Sequence, residues 1–162
     1  MRAASEDKPV LARLLELYQY DLSAIENADV DASGLYGYAY LDHYWIEPGR
    51  HPFLVRVDSQ LAGFVLVNQH ALTGPAEGAM TVAEFFVLRR YRRRGIGEQV
   101  AVRIFDMFPG HWEVRELAAN VEAVAFWRKV VSRYTGGRFR EVWLSDERWC
   151  GPVQVFQSPG PA

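Results

Sequence analysis

The sequence predicts a single mixed α/β (α+β) domain in which a central, mostly antiparallel sheet carries helices on both faces. Three observations carry this. The 162 residues, 49% hydrophobic and 23% charged, suffice for one domain with a real core and leave little room for a second. Strand-like and helical periodicities alternate along the chain, with no internal repeat or low-complexity block. One strand–helix–strand passage over residues 81–118 has the length of a right-handed crossover, which makes its two strands parallel, while the other connections suit antiparallel pairing.

The elements follow in order. Ser5 is placed to cap a helix whose apolar stripe runs through Val10, Leu11, Leu14, Leu15 and Tyr18. Residues 20–50 are rich in aromatics and turn formers and are interrupted by Gly34, Gly37, Pro48 and Gly49, so one short helix within irregular chain is expected there. Phe53–Val57 and Leu61–Asn68 read as strands joined by the hairpin-like Asp58-Ser59-Gln60. His70–Gly78 is a loop containing glycine and proline, and Thr81–Leu88 is an apolar strand ending in an arginine cluster. From Gly95 to Phe108, the stripe Ile96, Val100, Ile104 and Phe108 marks a helix that Pro109-Gly110 stops. Trp112–Ala118 is the parallel partner strand. Asn120 can cap a second helix reaching about Tyr134, closed by Gly136-Gly137. Strands near Phe139–Leu144 and Val153–Gln157 complete the set, and residues 158–162 are expected to fray.

Composition narrows the function. The formal net charge of −2 argues against a general nucleic-acid-binding surface. Yet Arg89, Arg90, Arg92, Arg93 and Arg94 fall within six positions, either a solvated face or a site for a small anion. No apolar run approaches the roughly 18 residues of a membrane span, and Met1-Arg2-Ala3-Ala4 leads into charges, unlike a signal peptide. Cys150 is the only cysteine, which removes an intrachain disulfide and a cysteine metal cluster. A cytoplasmic protein with no metal and no membrane partner is expected.

The most informative stretch runs from Val87 to Glu98, where a strand hands over to a helix. The first amides of a helix have no intrahelical acceptor and the macrodipole makes that end positive, so an anion such as a pyrophosphate fits there. Gly95 and Gly97 allow close backbone approach, and the arginines add charge-assisted hydrogen bonds. A Walker loop needs Lys-Ser/Thr after its second glycine, but Glu98-Gln99 stands here. A dinucleotide fingerprint needs a third glycine where Val100 stands. What remains is the spacing Arg92-x-x-Gly95-x-Gly97, together with Asn120-x-x-Ala123-x-x-Phe126-Trp127-x-Lys129 about 25 residues on.

These two motifs at this separation resemble the acetyl-CoA loop and the following helix of the GNAT N-acetyltransferase superfamily. The likeness covers residues 53–144, and the first 50 residues only by helical pattern. It implies the GNAT-like acyl-CoA N-acyltransferase fold and acetyl-CoA as cosubstrate. The backbone of Phe86, Val87 and Leu88 would pair with the pantetheine arm. The amides of Arg93, Arg94, Gly95, Ile96, Gly97 and Glu98 would hold the pyrophosphate, with Arg92, Arg93 and Arg94 reaching phosphate or ribose. Asn120 would touch the cofactor through its side-chain amide, or serve only as a helix cap, with Phe126 as a further cofactor contact. Two departures stand out. The strand that usually opens the family is shortened or missing before Ser5. The tyrosine that in many relatives protonates the leaving thiolate is here Trp127, whose indole offers no usable acid.

The expected reaction moves an acetyl group from acetyl-CoA to a primary amine of a small molecule. The amine must first lose a proton, and a backbone N–H at the end of strand 81–88 would stabilise the oxyanion. Glu84, mid-strand between Ala83 and Phe85, is the candidate catalytic base; the alternative is a structural carboxylate paired with Arg115. Glu113, Glu116 and His70 rank behind it, and Tyr134 is a remote candidate acid better suited to core packing. Tyr36, Tyr38, Tyr40, Asp42, His43, Tyr44 and Trp45 would either cap the core or line a cleft for a cationic amine. The competing reading is a catalytically silent acyl-CoA-binding module, and the exposed final strands leave room for a homodimer.

Overall fold

The computed structural model describes residues 1–73 and 78–161. The chain forms α1 (Lys8–Glu26), α2 (His43–Ile46), β1 (His51–Val57), β2 (Gln60–Asn68), β3 (Met80–Val87), α3 (Ile96–Met107), β4 (Gly110–Arg115), α4 (Val121–Thr135), β5 (Phe139–Asp146) and β6 (Trp149–Ser158). The strands hydrogen-bond in the order β1-β2-β3-β4-β6-β5. β3 and β4 are parallel, with Met80 opposite Trp112, while β4–β6 and β5–β6 are antiparallel. The mixed, mostly antiparallel sheet with its helices is thus observed, and the 81–118 crossover carries α3. Residues 74–77 of the expected loop lie outside the described residues.

By internal contacts the chain divides into two compact units, Met1–Leu66 with Glu84–Arg90, and Val67–Ala83 with Tyr91–Ala162. In the first, α1 buries Leu11, Leu14 and Leu15, the stripe its 3.6-residue periodicity foretold, each contributing roughly 1.5–3 kcal/mol by leaving water. Tyr18 on the same helix meets the rings of Phe64 and Phe86, both at 5.7 Å. The hairpin turn between β1 and β2 holds Asp58 and Ser59 at φ of 48° and 66°, the left-handed pair whose twist matches two-residue connections. β2 and β3 approach so closely that a Cβ on Gly63 would lie 2.0 Å from the Phe86 carbonyl oxygen.

Two expectations are corrected here, and one open alternative is decided. Ser5 does not cap the helix: it lies in a one-turn 3₁₀ segment, Ser5–Asp7, and the Asp7 carboxylate accepts the Ala4 amide at 3.0 Å. The short side chain at position 7 reaches the free amide, whereas Ser5 Oγ turns to Glu6. The helix then runs to Glu26, into the stretch read as irregular, and stops where Asn27 turns left-handed at φ 53°. Of the two alternatives for the opening strand, shortened or missing, the shortened one is observed: a bridge joins Arg2 to Phe53, with Ala3 N donating to Pro52 O at 2.8 Å and Leu54 N to Met1 O at 3.0 Å.

The second unit is built on aromatic packing. Phe105 of α3 lies 4.9 Å from both Trp112 and Phe156 and 5.2 Å from Tyr134, in edge or tilted geometry that favours such rings beyond their area. The Trp112 indole N–H, fully buried, donates to the Phe108 carbonyl at 2.8 Å. Residues 158–160 do not fray as expected. Ser158 is buried and its hydroxyl donates to the Phe105 carbonyl at 2.8 Å, while the Gly160 amide donates to Ser158 Oγ at 3.2 Å. The composition Ser-Pro-Gly-Pro suggested a loose tail; one hydroxyl that finds a buried carbonyl holds it. Among the described residues no helix is long and apolar enough to cross a membrane.

Candidate functional site

In the first unit, chemistry converges on Glu84. It sits half-buried mid-way along β3, and each oxygen of its carboxylate accepts one phenol: Tyr18 Oη donates to Oε2 at 2.7 Å and Tyr38 Oη to Oε1 at 3.0 Å. Burial first, and the Glu84 charge second, push both phenols well above the usual tyrosine range, so both stay protonated donors. Two donors at Glu84 are thus phenols, and the Arg115 guanidinium lies over the Trp149 ring at 5.3 Å. Neither tyrosine was singled out as a partner of Glu84 from sequence. The signal available was indirect: a mid-strand carboxylate must find donors. Nothing in spacing says that they stand 66 and 46 residues away.

Phe86 and Val87 are buried at the end of the same strand, and the Leu88 N–H donates to the Ala62 carbonyl at 2.8 Å. That amide, one of the groups expected to face the pantetheine arm, is already spent on β2.

In the second unit, the α3 N-terminus has the geometry of an anion cradle. Gly95 caps it at φ 76° and Arg93 is left-handed at φ 59°, a backbone path that glycine adopts without cost at position 95. Gln99 N is the first amide to bond back into the helix, to Gly95 O at 3.1 Å, so Ile96, Gly97 and Glu98 hold the amides that a helix leaves without an intrahelical acceptor. The side chains of Arg92, Arg93 and Arg94 are exposed. Arg93 faces Glu122 at 3.9 Å with both side chains in water, a weak pair that an anion could displace. The negative charge of Glu98 is answered by Arg133 at 3.0 Å. A pyrophosphate fits this set of donors and cations.

Asn120 caps α4, its Oδ1 accepting the Ala123 amide at 3.2 Å, so the cap role is observed and the side-chain NH₂ is what remains to offer a ligand. Phe126 meets Trp127 edge-on at 5.0 Å, and Trp127 is 5% exposed, against Phe105. The residue at the family's usual acid position is core.

The lesser candidates sort themselves. Glu113 is fully buried and accepts the Leu72 amide at 2.7 Å together with the amide and hydroxyl of Thr73, which makes it the anchor of the chain leaving β2. Glu116 is buried too; Gln154 Nε2 donates to its Oε2 at 3.1 Å, and burial, aided by the Glu141 charge, pushes its carboxyl up to about 8. His70 is exposed, with its backbone amide on Asn68 Oδ1. The Tyr134 hydroxyl donates to Asp106 at 2.8 Å, and burial pushes its pKa up to about 12, as suits a packing residue.

The aromatic segment 36–45 is tied to its own neighbours. Glu16 accepts the amides of Tyr36 at 2.8 Å and Gly37 at 2.9 Å. Asp42 pairs with Lys8, and the Arg50 guanidinium lies over Tyr40 at 6.0 Å and Tyr44 at 5.4 Å. Within the segment expected to cap the core or to line a cleft for a cationic amine, Asp42 and the rings of Tyr40 and Tyr44 already meet cations of this chain. Among the described residues no group of three or more His, Cys, Asp or Glu side chains could hold a metal ion.

Comparison with known proteins closes on the same point. The chain matches the fold of an acetyltransferase from Thermus thermophilus with a TM-score of 0.69 at 18% identity, covering 96% of this chain and 94% of that one. It matches the aminoglycoside acetyltransferase AAC(6')-Ib in complex with coenzyme A with a TM-score of 0.67 at 12% identity, covering 97% and 92%. It matches the ribosomal-protein-S18-alanine N-acetyltransferase of Escherichia coli with a TM-score of 0.60 at 11% identity, covering 100% and 94%. No curated protein sequence matches it. The sequence profile of the acetyltransferase (GNAT) family matches residues 14–131, a span that takes in Glu84, the α3 cradle and Asn120, and so the chain belongs to the GNAT acetyltransferase family.

Proposed function

We propose that this protein transfers an acetyl group from acetyl-CoA to a primary amine of a small molecule, with Glu84 as general base. The observation that carries the reading is the Glu84 carboxylate: half-buried on β3 and held by two phenols that stay protonated donors. Acetyl-CoA supplies the activated acyl group. The amides of Arg93 through Glu98 and the exposed guanidinium groups of Arg92, Arg93 and Arg94 would hold its pyrophosphate, and the Asn120 NH₂ and Phe126 would contact the rest. Phe86, Val87 and Leu88 would offer backbone to the pantetheine arm, less the Leu88 N–H that Ala62 occupies.

The amine arrives as an ammonium ion, its pKa being near 10, and becomes a nucleophile only after it loses a proton. Glu84 takes that proton directly or through one water. Departure of the thiolate has no assigned protein acid, because Trp127 is packed in the core and Tyr134 titrates too high. The small-molecule class draws support from the aminoglycoside acetyltransferase among the structural neighbours, although another neighbour is a ribosomal-protein-alanine N-acetyltransferase.

The buried Trp127 favours one competing reading, an acyl-CoA-binding module without turnover. Steady-state release of CoA thiol with a panel of amines separates the two. Turnover with any amine supports the enzyme; acetyl-CoA binding without thiol release across the panel supports the module. In Glu84→Gln, kcat/KM is expected to fall by about 10²–10⁴ with acetyl-CoA affinity level and the acidic limb of the pH profile lost. A fall below about tenfold with that limb preserved refutes Glu84 as base.

A further inference from the structure

We propose that Tyr38 is a positioning residue for the reaction: with Tyr18 it holds the Glu84 carboxylate in one pose, and it latches the aromatic segment 36–42 to that carboxylate. The proposal rests on the reading of Glu84 as the base.

A carboxylate drawn half out of water needs donors for both oxygens, and here each oxygen receives one. The two phenols reach it by different routes. Tyr18 is set by the fold, on α1 with its ring between Phe64 and Phe86. Tyr38 belongs to no helix or strand, yet it is presented with equal definition. Glu16 of α1 accepts the amides of Tyr36 and Gly37, and the Gln19 side chain donates to the Gly37 carbonyl. Three bonds from one helix thus fix the two residues that precede Tyr38, and the Tyr40 ring meets Tyr38 edge-on at 6.0 Å just after it. α1 therefore supplies one phenol directly and aims the second.

The arrangement has a consequence for turnover. Both phenols only donate, because burial and the Glu84 charge keep them protonated. When Glu84 accepts the amine's proton, its charge is lost and one oxygen becomes a donor. Two charge-assisted bonds then weaken to ordinary ones, and one phenol must share the remaining acceptor. The protonated base is thereby disfavoured and returns its proton to solvent, at the cost of a weaker base. The hold of Tyr38 on segment 36–42 loosens at the same moment, because the acceptor it grips is the one that titrates.

The test is Tyr38→Phe, which keeps the ring that meets Tyr40 and deletes only the hydroxyl, compared with Glu84→Gln. The readouts are kcat/KM against pH, the amine KM, the acetyl-CoA thermal shift, and hydrogen exchange of the amides of residues 36–42. In Tyr38→Phe the acidic limb is expected to move up by about one to two pH units, the size of one hydrogen bond to a charged group. The amine KM is expected to rise while the thermal shift stays level, and exchange in 36–42 is expected to quicken. Glu84→Gln reads the same latch from its other end and should quicken exchange in the same segment, even if Tyr38→Phe folds poorly. An acidic limb that is lost in Glu84→Gln but unmoved in Tyr38→Phe overturns the positioning role alone. A limb that survives in Glu84→Gln overturns the base reading and this proposal with it. Exchange in 36–42 unchanged in both variants overturns the latch.

Discussion

Gln154 Nε2 donates to Glu116 Oε2 at 3.1 Å, while the other carboxyl oxygen, Glu116 Oε1, and the amide oxygen, Gln154 Oε1, both buried, have no hydrogen-bond partner. A buried carboxyl with one oxygen unanswered is easier to keep neutral than charged. The groups facing the pair, Glu141 of β5 and Arg128 of α4, are bound to each other, and Gln154 gives its other contact to Glu141 at 3.0 Å.

This makes stability depend on pH in a stated direction. The carboxyl is pushed from the usual 4.5 up to about 8 by burial, so the folded state keeps a proton that the unfolded chain releases. The contribution is complete below about pH 4.5, falls as pH rises from about 4.5 to about 8, and is level above that, with a slope of at most about 1.4 kcal/mol per pH unit. In Glu116→Gln the slope is expected to vanish. Denaturant unfolding of both proteins at pH 5, 6.5, 8 and 9 checks it, and parallel curves would refute it.

Glu113→Gln should separate a structural carboxylate from a base. An amide places an NH₂ where the carboxylate accepts from Leu72 and Thr73, so at least one part-buried donor loses its partner, at about 1–3 kcal/mol. The melting temperature is expected to fall by about 2–4 °C per kcal/mol, with the acidic limb of the rate profile unmoved. A limb that shifts, with stability intact, would bring Glu113 back as a base.

Gly97→Asp tests the α3 cradle. A carboxylate in the first turn meets the anion that the cradle is proposed to hold, while the fold keeps its packing. The acetyl-CoA dissociation constant is expected to rise at least about tenfold, and the wild-type thermal shift, about 2.7 kcal/mol at 100 times Kd, to shrink accordingly. Unchanged affinity in a folded variant would reduce the loop to a helix start.

Gly63→Ala tests the β2–β3 approach. The new Cβ would lie 2.0 Å from the Phe86 carbonyl oxygen, which is backbone and cannot turn aside. A loss of about 1–3 kcal/mol is expected, the usual range for overpacking, read as a lowered denaturant midpoint. A neutral result would mean that the strands separate at no cost.

Much was legible in the sequence because it is local. The α1 stripe, the Gly95 turn, the Asn120 cap and the parallel crossover each follow from residues within a few turns of one another, where propensity, capping and periodicity act. The two motifs at their separation carried the family in the same way. Tertiary structure alone decided the partners. Phenols 66 and 46 residues from Glu84 became its donors, Thr73 and Leu72 claimed Glu113, and Arg50 and Lys8 met Tyr40, Tyr44 and Asp42 of the segment read as a core cap or an amine cleft. A buried or half-buried polar group must be satisfied, and the chain states that need at one position. Which distant side chain meets it depends on how strands and helices stack, and no spacing along the sequence encodes that.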